Sequence, residues 1–244
     1  MSASGAGTGA APRLSIVVPV HDEVENLEPL HRELSQALKA FADELEIILV
    51  DDGSRDGSLE KMRELQRRDP RVRPVVLDGN HGQTAALDAG FRAARGEITV
   101  MLDADLQNDP ADIPRLLELL DRADVVNGVR VERHDTWVRK VSSRIGNGFR
   151  NRLTHESVTD VGCSLRAMRT SFLRDVKLYR VMHRFLPTLL RLEGARVIEI
   201  PVTHRSRAAG RSKYGIGNRL FVGLADVFAV RWMQSRAIRY RIRE

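Results

Sequence analysis

Short runs of apolar, mostly β-branched residues alternate with stretches of helical periodicity through the first half of the chain, and this alternation constrains its fold most. The apolar runs predict buried strands; they lie at residues 14–20, 46–50, 72–77, 98–102 and from 125 onward. The helical patterns between them occupy residues 25–41, 57–68, 84–95 and 110–122. Strands that alternate with helices form a parallel sheet through right-handed crossovers. We therefore predict an α/β protein with a mostly parallel central sheet flanked by helices.

The pattern changes after residue 130. The sequence predicts a basic helix over residues 136–153, an added strand over 162–168, a helix over 182–193 and a last strand over 196–201. A polar, glycine-containing stretch at 204–217 then leads into a final helical segment that begins at residue 218.

The charges of the two halves have opposite signs. Residues 1–129 carry 14 Lys and Arg against 24 Asp and Glu, whereas residues 130–244 carry 25 against 9. This division indicates a half that holds a cation and a half that binds an anion. Nucleic acid is not expected as the partner, because the basic half has few aromatic residues and shows no recognisable nucleic-acid-binding motif.

The ends of the chain and its single cysteine bear on its compartment. Residues 1–12 are small and polar, without a basic start or an apolar run, so we expect a disordered tail rather than a signal peptide. Cys163 alone excludes a disulfide framework, and burial rather than reactivity is expected for it. With no apolar run long enough to cross a bilayer, we expect a cytoplasmic protein.

Acidic residues follow several of the predicted strands. Asp52 comes after the second strand, and Asp103 and Asp105 come after the fourth. Ligands of such sheets bind beyond the carboxyl ends of the strands, where these side chains would meet. Two carboxylates one residue apart suit Mg²⁺, which uses one or two carboxylates together with phosphate oxygens and water. Asp103 and Asp105, with Gln107, are therefore predicted to hold a cation against a diphosphate.

Several motifs in order resemble the family 2 glycosyltransferases, which have a GT-A, Rossmann-like fold. These are VPVHDEVENL (18–27), VDDGSRDGS (50–58), NHGQTAALDAG (80–90) and DADLQ (103–107). The segments GVRVERHD (128–135), DVGCSLRAMR (160–169) and HRSRAAGRSKYG (204–215) further resemble the branch that contains dolichol-phosphate mannose synthase. Members of that branch transfer a sugar from a nucleotide donor to a polyprenyl phosphate.

The resemblance implies a role for particular residues. Those that would contact the nucleotide-sugar are Pro19, His21, Glu23, Val50, Asp52, Asp103, Ala104, Asp105, Arg207 and Lys213. Those that would bind the acceptor phosphate are Arg130, Arg139, Ser143 and Ser212. Asp103, Asp105 and Gln107 would hold Mg²⁺ or Mn²⁺, and Asp103, Asp105 and Arg130 would carry catalysis. His21 departs from the family, because many relatives have an aromatic residue there that stacks on the base.

The resemblance also implies domain boundaries. Residues 13–217 would form one glycosyltransferase domain, with a nucleotide-sugar and metal half at 13–129 and an acceptor half at 130–217. Residues 218–244 would form a basic amphipathic helix at the C-terminus.

The expected reaction is the inverting transfer of a hexose-type sugar from a UDP- or GDP-sugar to undecaprenyl or dolichyl phosphate. Cations stabilise the negative charge that develops on the leaving diphosphate. An acceptor phosphate is already largely ionised near neutral pH, since its second pKa is about 6, so a strong general base is not required. A family 2 enzyme that acts on a glycan hydroxyl is one alternative, and it would need such a base. A non-catalytic nucleotide-sugar-binding module docked on a membrane is the other.

Apolar residues recur at helical spacing in the C-terminal helix, including Phe228 and Trp232, and arginines cluster after them. A basic amphipathic helix can lie in the interface of an anionic membrane, which would place the enzyme at the cytoplasmic face. The same pattern suits packing on the chain's own core or on a partner chain. Many relatives carry paired transmembrane helices that this sequence lacks, so a separate membrane protein is a further candidate partner.

Overall fold

A computed structural model describes residues 12–131, 148, 152–154, 158–206 and 219–238, and of 219–224 it describes the backbone alone. Seven strands form one sheet: β1 Leu14–Val20, β2 Leu45–Asp51, β3 Val72–Val76, β4 Ile98–Met101, β5 Val125–Arg130, β6 Arg166–Arg169 and β7 Val197–Val202. The α-helices in these ranges are α1 Val24–Ala37, α2 Ser58–Arg68, α3 Gln83–Ala93, α4 Ile113–Glu118, α5 Thr170–Asp175, α6 Leu186–Leu192 and α7 Arg219–Arg236. Short 3₁₀ turns join several of them.

The strand order in the sheet is β3-β2-β1-β4-β6-β5-β7. All neighbouring strands are parallel except β6, which lies antiparallel between β4 and β5. The predicted α/β fold with a mostly parallel sheet is therefore confirmed. The predicted strand over 162–168 is shorter and begins later, because residues 158–165 form a loop that reaches over the carboxyl ends of β4 and β5.

Both faces of the sheet are covered, as the continuous apolar runs predicted. The side chains of β2 are buried along its whole length, and those of β1 nearly so. Helix α3 approaches the sheet closely at Gly90, where a Cβ atom would lie 2.4 Å from Val17 Cγ1. A larger residue there would force the helix away from the sheet.

Three predicted helices are interrupted. The one over 182–193 starts with the 3₁₀ turn Met182–Phe185, and α6 follows over Leu186–Leu192. The one over 25–41 ends at Ala37 and continues as a 3₁₀ turn over Lys39–Glu44. The one over 110–122 starts with the 3₁₀ turn Pro110–Asp112, and α4 begins only at Ile113. Pro114 has no N–H to donate to Pro110, which removes one of the hydrogen bonds that an α-helix starting at residue 110 would make.

Helix α7 has apolar residues on two sides. Val227 and Val230 are buried in the core beneath the sheet, whereas Phe228 and Trp232 are 57% and 64% exposed. Packing on the chain's own core, one of the predicted alternatives, therefore holds for one side of the helix. Among the described residues, no helix is both long and apolar enough to span a membrane.

Candidate functional site

The residues that follow β1, β2 and β4 meet in one cavity of about 280 Å³ at the carboxyl edge of the sheet. Its lining comprises Pro19, Val20, His21, Glu23, Asp52, Asn80, Gly82, Gln83, Ala86, Asp103, Ala104, Asp105 and Gln107. The structure thus brings together most of the residues predicted for the nucleotide-sugar and the metal. Val50 is the exception among those described, since it lies fully buried in β2 and does not line the cavity.

Asp103 and Asp105 lie on a tight turn directly after β4. Leu106 adopts a φ of +60°, a conformation that side chains other than glycine rarely take. The turn lets the Gln107 N–H donate to Asp105 Oδ1 over 3.2 Å. From α3, Gln83 Nε2 donates to Asp103 Oδ1 over 2.7 Å. The two carboxylates are therefore held in place by the backbone turn and by a neighbouring helix.

Gln107 is fixed from the far side of the cavity by the segment after β7. Its carbonyl accepts from the Arg205 N–H at 2.8 Å, and its side-chain Nε2 lies 3.4 Å from the Arg205 carbonyl and 3.5 Å from His204 Nε2. These contacts use the amide nitrogen, so the amide oxygen is the atom of Gln107 suited to a cation. Sequence reasoning did not select His204 and Arg205. The available signal was that both follow the strand predicted over 196–201. In the structure β7 runs parallel to β5 and ends at the same edge of the sheet.

The residues present fit a divalent cation shared with a bound diphosphate. Within the part of the chain that the structure describes, no group of three or more His, Cys, Asp or Glu side chains could hold a metal ion. A carboxylate pair with one amide oxygen leaves coordination positions for phosphate oxygens and water, as Mg²⁺ prefers. Asp103, Asp105 and Gln107 would hold the cation, which would neutralise charge on the diphosphate.

Asp52 anchors the loop that forms the opposite wall. Its carboxylate is 3% exposed and accepts the backbone N–H groups of His81, at 2.7 Å, and Gly82, at 2.9 Å. Sequence reasoning assigned Asp52 to the nucleotide. The structure adds that the same carboxylate holds the loop between β3 and α3 against the cavity.

His21 is oriented by the same region. Its Nδ1 lies 2.8 Å from the Asp52 carbonyl oxygen, which can only accept, so Nδ1 donates to it. Nε2 lies 3.1 Å from Asn80 Nδ2 and 3.6 Å from Asp22 Oδ2. Both ring nitrogens therefore have polar neighbours. Asn80, which sequence reasoning did not select, lines the cavity beside this imidazole.

Glu23 is held at the start of α1. Its carboxylate accepts from Asn26 Nδ2 at 2.6 Å, and its N–H donates to Ser58 Oγ at 2.9 Å. The bond to Ser58 joins the loop after β1 to the start of α2.

Arg130, at the end of β5, does not line this cavity. Its Nε lies 2.7 Å from Asp160 Oδ2 and its Nη2 lies 2.8 Å from Asp160 Oδ1, a two-pronged ion pair. Gly162 makes room for the guanidinium, because a Cβ there would lie 2.6 Å from Nη2. The structure therefore adds Asp160 and Gly162 to the surroundings of Arg130. The other predicted phosphate-binding residues, Arg139, Ser143, Arg207, Ser212 and Lys213, lie outside the described residues.

Cys163 is buried near this loop, 1% exposed. Burial in apolar surroundings raises the pKa of its thiol to about 11, so the thiolate form is negligible at neutral pH. The prediction of a small buried side chain rather than a reactive thiol agrees with this environment.

Comparison with known proteins places the chain among sugar-transferring enzymes. A family model described as glycosyl transferase family 2 matches residues 15–177. The chain is 43% identical over 205 residues to the undecaprenyl-phosphate 4-deoxy-4-formamido-L-arabinose transferase of Edwardsiella ictaluri, a match that spans 83% of this chain and 63% of that relative. It is 39% identical over 236 residues to the dodecaprenyl-phosphate galacturonate synthase of Rhizobium johnstonii, spanning 94% and 68% of the two chains.

A solved structure agrees on the fold. A mannosyltransferase from Pyrobaculum calidifontis, in complex with GDP-Man and Mn²⁺, superposes with a TM-score of 0.63 at 19% identity, covering 96% of this chain and 66% of that one. The predicted GT-A architecture is thereby confirmed. The match covers less than two thirds of the Edwardsiella relative's own length, and the rest of that relative is not aligned with this chain.

Proposed function

The chain belongs to glycosyl transferase family 2, and on that premise we propose that it moves a hexose-type sugar from a UDP- or GDP-sugar to a polyprenyl phosphate, with inversion at the anomeric carbon. The observation that carries the proposal is that the cavity of about 280 Å³ and the Asp103 and Asp105 pair lie together at one edge of the sheet. The two curated relatives are named for transfer to, or synthesis on, a polyprenyl phosphate, which supports that class of acceptor.

In this proposal the wall around Asp52 binds the nucleoside. The loop that Asp52 anchors through two backbone N–H groups is held before the donor arrives, so binding does not have to order it. His21 Nε2 and the Asn80 amide lie together on this wall as polar groups for a base or ribose. They do not distinguish uracil from guanine by type.

A divalent cation, Mg²⁺ or Mn²⁺, would supply charge that stabilises the departing nucleoside diphosphate. The protein's own contribution is to orient the ligands: Gln83 fixes Asp103, the Leu106 turn fixes Asp105, and the segment after β7 fixes Gln107. Held in this way, the ligands need little rearrangement as charge develops. The Mn²⁺ named with the Pyrobaculum structure supports a divalent cation.

The acceptor phosphate would attack the anomeric carbon from the side opposite the diphosphate. Because a phosphate monoester is largely ionised near pH 7, its oxygen attacks without transfer of a proton to the protein. Two phosphate groups must then approach each other, and cationic side chains offset their repulsion. We assign this task to the half that begins at residue 130, with Arg130 at its start and Arg139, Ser143, Arg207, Ser212 and Lys213 as proposed partners. Residues 13–129 and 130–217 would thus serve donor and acceptor within one domain.

We also propose that the protein works at the cytoplasmic surface of a membrane. Phe228 and Trp232 are one helical turn apart on the exposed side of α7, the arrangement expected for an interfacial helix. A separate membrane protein remains a further proposed partner.

The test is a panel of radiolabelled UDP- and GDP-sugars incubated with Mn²⁺ or Mg²⁺ and undecaprenyl phosphate, followed by organic extraction. Label in the organic phase that is lost in Asp105→Asn, and retained in the exposed control Asp121→Asn, is the expected result. Label that appears only on a glycan hydroxyl would favour the alternative acceptor. Tight binding of nucleotide without turnover on either acceptor would favour a binding module.

A further inference from the structure

A second cavity of about 640 Å³ adjoins the first one. The two share Asn80, Gly82 and Gln83 as a common wall. Gln83 also donates to Asp103, so this wall lies directly beside the proposed cation site. The far side of the second cavity comes from residues 178–184, a segment to which the sequence motifs assigned no role.

The far wall is held in an unusual backbone conformation. Val181 has a φ of +69°, although it is β-branched and such residues avoid positive φ. Its N–H donates to Thr84 Oγ1 on α3 over 3.0 Å. Strained backbone that is held by a side chain from another element is frequent at ligand-binding sites, which makes this wall of the cavity a candidate binding surface.

The buried side chain of Arg166 also holds the segment 178–184 in place. It is 1% exposed, and its Nη1 donates to the His183 carbonyl over 2.9 Å, while Nε donates to Asn127 Oδ1 over 2.6 Å and Nη2 to the Val161 carbonyl over 3.2 Å. Burying a guanidinium is costly even when it is hydrogen-bonded. The position of His183 is therefore determined through its backbone by a buried cation.

The imidazole of His183 is oriented by Thr84. His183 Nδ1 lies 2.7 Å from Thr84 Oγ1, which already accepts from the Val181 N–H. Donation of the hydroxyl proton to Nδ1 satisfies both side chains, and we assign the ring proton to Nε2 on this ground. Burial, with the nearby Arg184 and Arg166, lowers the pKa of His183 to about 3, so the ring is neutral at working pH.

We propose that the second cavity holds the glycosyl group of the nucleotide-sugar, and that His183 selects among sugars by donating its Nε2 proton to a sugar oxygen. This inference rests on the proposed function. Within the described residues, no hydrogen bond to Nε2 is formed, although the residue lines the cavity. If the diphosphate of the donor lies at Asp103, the sugar bonded to it would extend past Gln83 into the second cavity. The cations Arg180 and Arg184 lie on the same wall and favour a sugar rich in oxygen acceptors.

The test compares binding of a sugar nucleotide with binding of its bare nucleotide. Calorimetry in Mn²⁺ would measure UDP, GDP, UDP-glucose, UDP-galacturonate and GDP-mannose against wild type, His183→Ala, Thr84→Val and Thr84→Ser. For the sugar nucleotide that binds wild type best, we expect a three- to tenfold loss, roughly one hydrogen bond, in His183→Ala and Thr84→Val. Bare nucleotide should bind all four proteins equally, and Thr84→Ser, which keeps the hydroxyl, should behave as wild type. Thermal melting checks that each variant is folded.

Three results would overturn the inference. One is an unchanged affinity for the sugar nucleotide, and another is an equal loss for sugar nucleotide and bare nucleotide. The third is an intact donor affinity with a raised KM for undecaprenyl phosphate, which would assign the cavity to the acceptor phosphate instead. In each of these cases wild type still binds nucleotide, so the proposed function stands. Failure of wild type to bind any nucleotide would overturn both.

Discussion

The guanidinium of Arg130 and the carboxylate of Asp160 face each other in a two-pronged ion pair, with N–O distances of 2.7 and 2.8 Å. Asp160 is nearly buried, and it also accepts the N–H of Gly162 at 3.1 Å. The aspartate thus holds both the arginine at the end of β5 and the loop before β6. Planar, bidentate pairing of this kind fixes the orientation of an arginine better than a single contact does.

Asp160→Ala should therefore destabilise the protein and impair transfer together. It leaves a partly buried guanidinium without this partner, and we expect a loss of about 3 kcal/mol in the free energy of unfolding, the lower end for a buried ion pair because Arg130 is 18% exposed. Urea unfolding measures the first effect and the organic-phase assay the second. Arg130→Lys keeps the positive charge but not the planar, two-pronged guanidinium. We expect this variant to lose most of its activity and less stability than Asp160→Ala. An Asp160→Ala protein with wild-type stability would show that the pair is not structural.

Asp52→Asn should weaken nucleotide binding. The amide would place an NH₂ group against one of two backbone N–H donors, leaving a buried donor unsatisfied at a cost of about 1–3 kcal/mol. The loop that carries Asn80 would then shift, and the Kd for nucleotide should rise at least severalfold. Asp78→Asn, on the same loop but 93% exposed at its side chain, is the matched control and should bind as wild type. Equal affinity for nucleotide in the two variants would contradict the proposal that the loop held by Asp52 binds the nucleoside.

Removal of the exposed apolar side of α7 should release the protein from anionic membranes. Phe228→Ser with Trp232→Ser should reduce co-sedimentation with phosphatidylglycerol vesicles by about tenfold or more, given the apolar surface lost. Truncation before α7 is a poorer test, because Val227 and Val230 belong to the core. Val76→Ser removes an exposed apolar side chain from the sheet edge and should leave sedimentation unchanged. Retention of the double variant on vesicles would refute membrane docking through this side.

The buried imidazole of His183 should make stability depend on pH. Its pKa is lowered from 6.5 to about 3 in the folded protein, so the unfolded chain binds the proton more readily. This contribution is fully present above pH 6.5 and is lost as pH falls toward 3. His183→Gln should therefore show a shallower decline of melting temperature than wild type between pH 6.5 and 4.5. Parallel curves for the two proteins would mean that folding does not lower the pKa of His183.

Cys163 should be unreactive while the chain is folded. With a thiol pKa of about 11 and 1% exposure, it should resist Ellman's reagent at pH 8. Because the chain has one cysteine, denaturation should release one equivalent of thiol. Rapid labelling of the native protein would show that the loop after Asp160 opens readily.

The meeting of the acidic residues at one edge of the sheet was predictable from the sequence. Asp52, Asp103 and Asp105 each follow an apolar run, and parallel strands bring such positions to one edge whatever the details of packing. Val50 belongs to the same motif as Asp52, yet its side chain lies in the core and does not line the cavity. The acceptor side could not be placed, since most of its predicted residues lie outside the described ranges.

The alternation of strands and helices, the edge of the sheet at which the acidic residues lie, and the family could all be predicted from the amino-acid sequence. These follow from local periodicity and from residue types at short spacing. The antiparallel position of β6 between β4 and β5 and the contact of Thr84 with His183, 99 residues apart, became known from the three-dimensional structure. Contacts of this kind depend on how whole elements pack, and no local pattern specifies a partner so far away in the chain. The second cavity, which Thr84, Val181 and His183 help to line, is formed by that packing.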